Sequence, residues 1–150
     1  CMKWVNELGV GPFFLTDYTP GTFEEITYRG EPSDLSMKVA IAQAGNVQIE
    51  LIEPTTDQCA YRDSVPEGQM AFHHMCVWTL DFEADLKYME SLDYAAANTG
   101  KVGNVEFAYF DTRPLMGCML EVVTKNEGTV KRFEEIARAA HNWDGKDPIR

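Results

Sequence analysis

The sequence has 150 residues, 45% of them hydrophobic and 11% aromatic, and a formal net charge of −11. This length and composition are typical of one folded domain. The acidic balance argues against nucleic acid and anionic membrane surfaces as partners, because both attract clustered lysine and arginine. No apolar run approaches the roughly 20 residues that cross a bilayer.

Four cysteines without a CxxC pair are typical of a reduced protein, so we expect a cytoplasmic location. Cys76 and Cys118 lie inside apolar strand patterns and are expected to be small core residues.

In the first half of the chain, helical spacing predicts a helix at residues 2–8. Strands are expected at 13–18 and 22–29, with weaker alternation at 36–43. A Gly-Asn turn then leads into a strand at 47–52, which is typical of a hairpin.

The second half repeats this order of elements. Apolar strand patterns occur at 71–80, 106–111 and 118–124, and an amphipathic helix is predicted at 84–92 with Asp81 as its N-cap. A C-terminal amphipathic helix follows at 129–140, and residues 141–150 form an irregular arm.

The two halves therefore predict a structural repeat. Glu50 and Glu121 each fall in the last strand of their half, whereas the counterpart of His74 in the first half would precede Cys1. We expect the first strand of the first repeat to be missing from this chain. The expected organisation is one compact domain with a first module at 1–55, a second at 68–125, and a C-terminal helix and arm at 126–150.

Two glutamates stand out because apolar residues flank them. Glu50 and Glu121 would be costly to bury without a partner. His74 offers an imidazole on a third strand, and two carboxylates with one imidazole suit Mg, Mn, Co, Ni or Zn. Strand alternation places His74 on one face with Cys76 and Trp78.

The same alternation separates ligand candidates from core residues. The residues that alternate with the glutamates are expected to pack under the helices; these are Ile49 and Leu51 in the first half, or Leu120 and Val122 in the second. His73 has the opposite parity to His74, so a structural role is expected for it.

The doubled βαβββ pattern with carboxylates on its last strands resembles the vicinal oxygen chelate superfamily. That group includes glyoxalase I, methylmalonyl-CoA epimerase, extradiol dioxygenases and bleomycin-resistance proteins. The segment AGNVQIELIEP at 44–54 resembles the first metal-bearing hairpin of the epimerase. Phe72-His73-His74-Met75 resembles its double-histidine strand, and Lys101-Val102-Gly103 a segment before its next strand.

The resemblance covers residues 2–125 and implies an α+β fold. Paired βαβββ modules would form a curved mixed sheet around a cleft, with the C-terminal helix as an addition. The ligands it implies are Glu50, His74 and Glu121, while the histidine that the family carries on its first strand has no counterpart here.

The resemblance also implies chemistry. A Glu at position 50, where dioxygenases have His, favours a glyoxalase-like isomerase, epimerase or lyase. Such an enzyme removes and returns a proton next to a carbonyl, with Glu50 and Glu121 as catalytic residues. The implied substrate is an acyl thioester or a hydrophobic oxo compound.

A substrate pocket is expected from Gln48, Trp78, Phe107 and Tyr109. The alternative is a non-catalytic, resistance-type protein that binds a small molecule. A weaker possibility is a degenerate member whose C-terminal arm contacts a partner subunit. A homodimer is expected, since members of the family commonly pair as dimers.

Overall fold

Local sequence signals set most element boundaries in the computed structural model, which describes residues 1–150. The helices are α1 (Met2–Leu8), α2 (Phe82–Ser91), α3 (Arg113–Met116) and α4 (Glu127–Ala140). The strands are β1 (Phe14–Tyr18), β2 (Glu24–Tyr28), β3 (Glu31–Pro32), β4 (Met37–Ala44), β5 (Val47–Pro54), β6 (His74–Thr79), β7 (Ala96–Val102), β8 (Val105–Phe110) and β9 (Met119–Thr124). A 3-10 turn spans Ala60–Asp63. None of the helices has the length and apolar character needed to cross a membrane.

The chain divides into two units. The first consists of Cys1–Tyr18, Met37–Thr55 and Glu127–Arg150, and the second of Thr19–Ser36 and Thr56–Asn126. The predicted boundaries of the two modules and the C-terminal addition stay a prediction.

The first unit contains an antiparallel sheet in the order β1-β4-β5. The predicted hairpin is confirmed: β4 turns into β5 through Gly45, whose φ of 61° suits a residue without a side chain. Phe13, which precedes β1, and Ala42 of β4 are fully buried. Trp4 of α1 and Leu51 of β5 pack against them, so the predicted packing of Leu51 under a helix is also confirmed.

The C-terminal arm is also part of the first unit. The backbone N–H of Phe13 donates to the Pro148 carbonyl, and the N–H of Arg150 donates to the Phe13 carbonyl, both at 2.8 Å. These bonds extend the edge of the sheet next to β1 and hold the arm in place. The arm that the sequence predicts as irregular thus ends in an ordered bridge.

The second unit is a mixed six-stranded sheet in the order β3-β2-β7-β8-β9-β6. The last pair, β9 and β6, is parallel, and the other pairs are antiparallel. Helix α2 covers one face, with Met89 packed against Phe110 and Val122. Asp81 caps this helix by accepting from the Ala84 N–H at 3.1 Å, as the sequence predicts. Val122 packs under a helix, also as predicted.

Strand β7 is absent from the sequence prediction, which assigned only a short segment at Lys101-Val102-Gly103. Its residues, AANTGKV, include few of the β-branched and aromatic types that favour strands. Antiparallel pairing with β2 on one side and β8 on the other supplies its hydrogen bonds. Tertiary pairing, rather than local preference, makes this strand.

The expectation for Cys76 is wrong and that for Cys118 is confirmed, since Cys76 is exposed and Cys118 is buried. Strand β6, which carries Cys76, lies at the end of the six-stranded sheet. An end strand has a neighbour on one side only, so fewer side chains cover it.

Gly100 in β7 packs where a side chain has no room. A Cβ there would lie 2.7 Å from Ile26 Cδ1 and 2.7 Å from Phe107 Cζ. We expect Gly100→Ala to lower the free energy of unfolding by about 1–3 kcal/mol, because either neighbour must move. Urea denaturation measures this change. In a Phe107→Leu background, which removes one of the two obstructing groups, the same substitution should cost less. Equal costs in both backgrounds would contradict the steric explanation.

Candidate metal centre

The parallel pairing of β6 with β9 brings together two of the three predicted ligands. Cys76 is the register partner of Glu121, and His74 that of Met119. His74 therefore lies two residues along from the partner of Glu121, on the same face of the sheet. His74 Nε2 is 3.4 Å from Glu121 Oε2, and the two side chains are 9% and 11% exposed.

This pair fits a divalent cation chemically. Imidazole nitrogen and carboxylate oxygen are both ligands of Zn²⁺ and related ions, at about 2.0–2.2 Å from the metal. Two such atoms at a tetrahedral angle lie roughly 3.4 Å apart by this geometry, which is compatible with the spacing of Nε2 and Oε2. A carboxylate as enclosed as that of Glu121 also needs a positive or donating partner.

Aromatic rings surround His74 within the second unit. Tyr109 in β8 is the register partner of Glu121, and its ring centroid lies 5.1 Å from that of His74. The Tyr61 hydroxyl donates to the Tyr109 hydroxyl at 2.9 Å. Phe107 packs edge-on against Tyr109 with centroids 5.9 Å apart. Of the predicted pocket residues, Tyr109 therefore lies next to His74 and Phe107 lies next to Tyr109, and both are buried.

His73 also belongs to this cluster. Its Nδ1 lies 3.0 Å from Nδ1 of His74, and its Nε2 lies 3.1 Å from the Ala60 carbonyl oxygen. Burial lowers the pKa of His73 to about 4, so the ring is neutral near neutral pH. The contacts of His73 with the Ala60 carbonyl and the Tyr61 ring agree with the structural role expected for it. Since β6 begins at His74, strand alternation does not extend to His73.

Asn98 is a further residue that the sequence did not single out. It is 1% exposed, and its side chain accepts from the Ala60 N–H and donates to the Thr27 carbonyl. Asn98 thereby fixes the 3-10 turn to β7 and β2. A single Asn in a segment without a strand pattern gives no sequence signal for this role. His73 was easier to single out, because it stands directly before His74 in the sequence.

The remaining predicted site residues are Glu50 and Gln48 in the first unit and Trp78 in the second. Glu50 and Gln48 lie on β5 of the first unit, where Glu50 is exposed and pairs in register with Ile41. The Gln48 side chain donates to the Phe133 carbonyl of α4 at 3.1 Å. Trp78 on β6 of the second unit is 40% exposed.

Residues 2–109 match the profile of the glyoxalase, bleomycin resistance protein and dioxygenase superfamily. The protein therefore belongs to this superfamily, as the sequence resemblance indicated. Members bind small-molecule substrates, often form dimers, and include metal-dependent isomerases, lyases and resistance proteins.

A similar solved structure supports the fold. The crystal structure of hypothetical protein BH1468 from Bacillus halodurans C-125 has a TM-score of 0.53 to this chain, with 17% identity over 83% of each chain. At this identity the likeness concerns the fold alone. The predicted α+β class, with mixed sheets and a C-terminal helix, is confirmed. No curated protein matches the sequence.

The hydroxyl contact between Tyr61 and Tyr109 contributes to the free energy of unfolding. We expect Tyr61→Phe and Tyr109→Phe each to lower the free energy of unfolding by about 0.5–1.5 kcal/mol, because each leaves the other hydroxyl with one partner fewer. In the double variant the two losses should overlap, giving a non-zero coupling energy by urea denaturation. Strictly additive losses would show that the two hydroxyls do not interact.

Proposed function

We propose that this protein is a metal-dependent enzyme that removes and returns a proton next to a carbonyl group, as an epimerase, isomerase or lyase. The observation that carries the proposal is the enclosed pair of His74 and Glu121 in the second unit, with 3.4 Å between Nε2 and Oε2. Membership of a superfamily with metal-dependent isomerases and lyases supports it.

Glu50 is proposed as the third ligand. It occupies the last strand of the first half, as Glu121 does in the second, and together with His74 these residues have the donor types that hold a divalent ion. One nitrogen and two carboxylate oxygens suit Zn, Ni, Co, Mn or Mg, since none of these ions requires thiolate ligands.

A divalent ion held there would act as a Lewis acid toward a carbonyl oxygen of the substrate. One carboxylate of the protein would take the proton from the substrate and return it. Glu50 is exposed and Glu121 is 9% exposed, so we assign proton removal to Glu50. Glu121 is assigned to holding the ion together with His74.

The substrate proposed is an acyl thioester or a hydrophobic oxo compound. Support comes from the aromatic rings on this side of the sheet, where Tyr109 packs against His74 and Phe107 packs against Tyr109. Apolar and aromatic linings with a few placed polar groups are typical of small-molecule sites. A homodimer, which is frequent in the superfamily, is proposed as the assembly.

Metal content tests the ligand assignment. We expect about one divalent ion per chain by elemental analysis after exposure to Zn, Ni, Co, Mn or Mg. His74→Ala should lose the ion because the imidazole ligand is gone, and Glu121→Gln should bind it more weakly because its charge is gone. His141→Ala, which changes a histidine of the C-terminal arm, is the matched control and should bind normally. A wild-type protein that takes up none of these ions contradicts the proposal.

Proton exchange tests the reaction. The metal-loaded protein should catalyse the exchange of solvent deuterium into 2-oxo compounds or acyl thioesters, at the carbon next to the carbonyl. NMR of the small molecule follows this exchange. We expect Glu50→Gln, which keeps a ligand oxygen but cannot take up a proton, to slow exchange by roughly 10²–10⁴-fold. Tight binding of such compounds without exchange, in the wild type, would instead favour the resistance-type binding protein.

A further inference from the structure

Two arginines of the first unit lie against the same aromatic ring. The Cζ atom of Arg132, in α4, is 5.2 Å from the ring centroid of Phe14, the first residue of β1. The Cζ atom of Arg150, in the C-terminal arm, is 5.9 Å from the same centroid. Both distances are those of cation–π contacts. The two guanidinium groups are therefore no farther apart than these two distances together.

No carboxylate side chain neutralises this pair of charges. Neither Arg132 nor Arg150 forms a salt bridge. By contrast, Arg138 on the same helix pairs with Glu134 at 3.6 Å, and on the arm the Lys146 ammonium pairs with Asp144 at 3.3 Å. Two like charges that converge on one ring repel each other, so an anion within reach of both would stabilise the arrangement.

Both arginines are attached to ordered elements. The backbone N–H of Arg150 donates to the Phe13 carbonyl, and the Arg150 carbonyl accepts from the Leu15 N–H, both at 2.8 Å. Arg132 lies one helical turn before Ile136, whose fully buried side chain anchors α4. Groups that are already in place when a ligand arrives lose less conformational freedom on binding.

We propose that Arg132 and Arg150 form a binding site for the phosphate or diphosphate group of a small molecule, with the Phe14 ring as its apolar wall. A guanidinium presents planar pairs of N–H donors that match the oxygens of a phosphate. Two such groups without carboxylate partners can share one phosphate or bind one phosphoryl group each of a diphosphate. The half-buried ring keeps water from one side of the site, which strengthens the ion pairs.

The acidic surroundings limit the class of ligand. The chain has a net charge of −11, and α4 itself contains Glu127, Glu134 and Glu135. An extended polyanion such as a nucleic acid would meet these carboxylates as well as the two arginines, whereas a small phosphorylated molecule concentrates its charge where the arginines are. The site uses none of the proposed metal ligands, so the inference does not depend on the proposed reaction.

Pyrophosphate is the probe for this site. We would titrate it into metal-free, ¹⁵N-labelled protein at about 0.15 M ionic strength, where long-range attraction between exposed charges is largely screened. Two-dimensional NMR follows the backbone amides and the arginine Nε–H groups. We expect saturable shifts at Phe14, Arg132 and Arg150. Metal-free protein is required because pyrophosphate also binds divalent ions.

Three variants separate this site from general attraction to positive charge. Arg132→Gln and Arg150→Gln should each weaken pyrophosphate binding by roughly tenfold or more, because each removes a charged hydrogen-bond donor. Arg138→Gln is the matched control, since it removes an arginine of the same helix that is paired with Glu134. This control should bind pyrophosphate as tightly as the wild type. The amide spectrum of each variant shows whether it is folded.

The wild-type titration tests the inference before any variant is made. Absence of saturable shifts at Phe14, Arg132 and Arg150 would overturn it, and so would shifts confined to residues of the second unit. A loss of affinity in Arg138→Gln as large as that in Arg132→Gln would indicate attraction to net charge alone and would contradict the site as well. Metal uptake by the same protein is a separate result and bears only on the proposed function.

Discussion

The parallel pairing of β6 with β9 is the constraint on which the candidate site depends. It sets Cys76 opposite Glu121 and thereby brings His74 Nε2 to 3.4 Å from the Glu121 carboxylate. A slip of one residue would turn one of the two side chains to the opposite face, beneath α2. The packing of Val122 against Met89 opposes such a slip, since it fixes which face of β9 is covered by the helix. The apolar packing of β9 against α2 therefore helps to fix the register of β9 with β6, which places Glu121 near His74.

On the polar face of the sheet, a series of side-chain contacts surrounds His74. Tyr109 stands beside it on β8, and Tyr61 reaches the Tyr109 hydroxyl from the 3-10 turn. The same turn supplies the carbonyl that His73 contacts, and Asn98 on β7 holds the turn. A network whose members satisfy one another is rigid in a low-dielectric interior. Residues far apart in sequence thus support one imidazole.

Much of this arrangement can be anticipated from the sequence, and the exceptions have identifiable causes. Glu121 and His74 were predictable because a charged or polar residue in an apolar strand requires a partner. Strand β7 was not, because its AANTGKV segment has weak strand preference and depends on β2 and β8 for pairing. The exposure of Cys76 follows from the end position of β6 in its sheet, which periodicity does not reveal.

The sequence by itself determined the periodic elements: the helices near 2–8, 84–92 and 129–140, the hairpin at Gly45, and the strands that carry Glu50, His74 and Glu121. These elements depend on side-chain spacing and turn residues within a few positions of one another, so a short stretch of sequence is enough to predict them. Only the tertiary structure decided that residues 19–36 join the second unit and that Asn98 and Ala60 stand behind His73. These features depend on pairing between segments tens of residues apart, and such pairing leaves no local pattern in a single sequence.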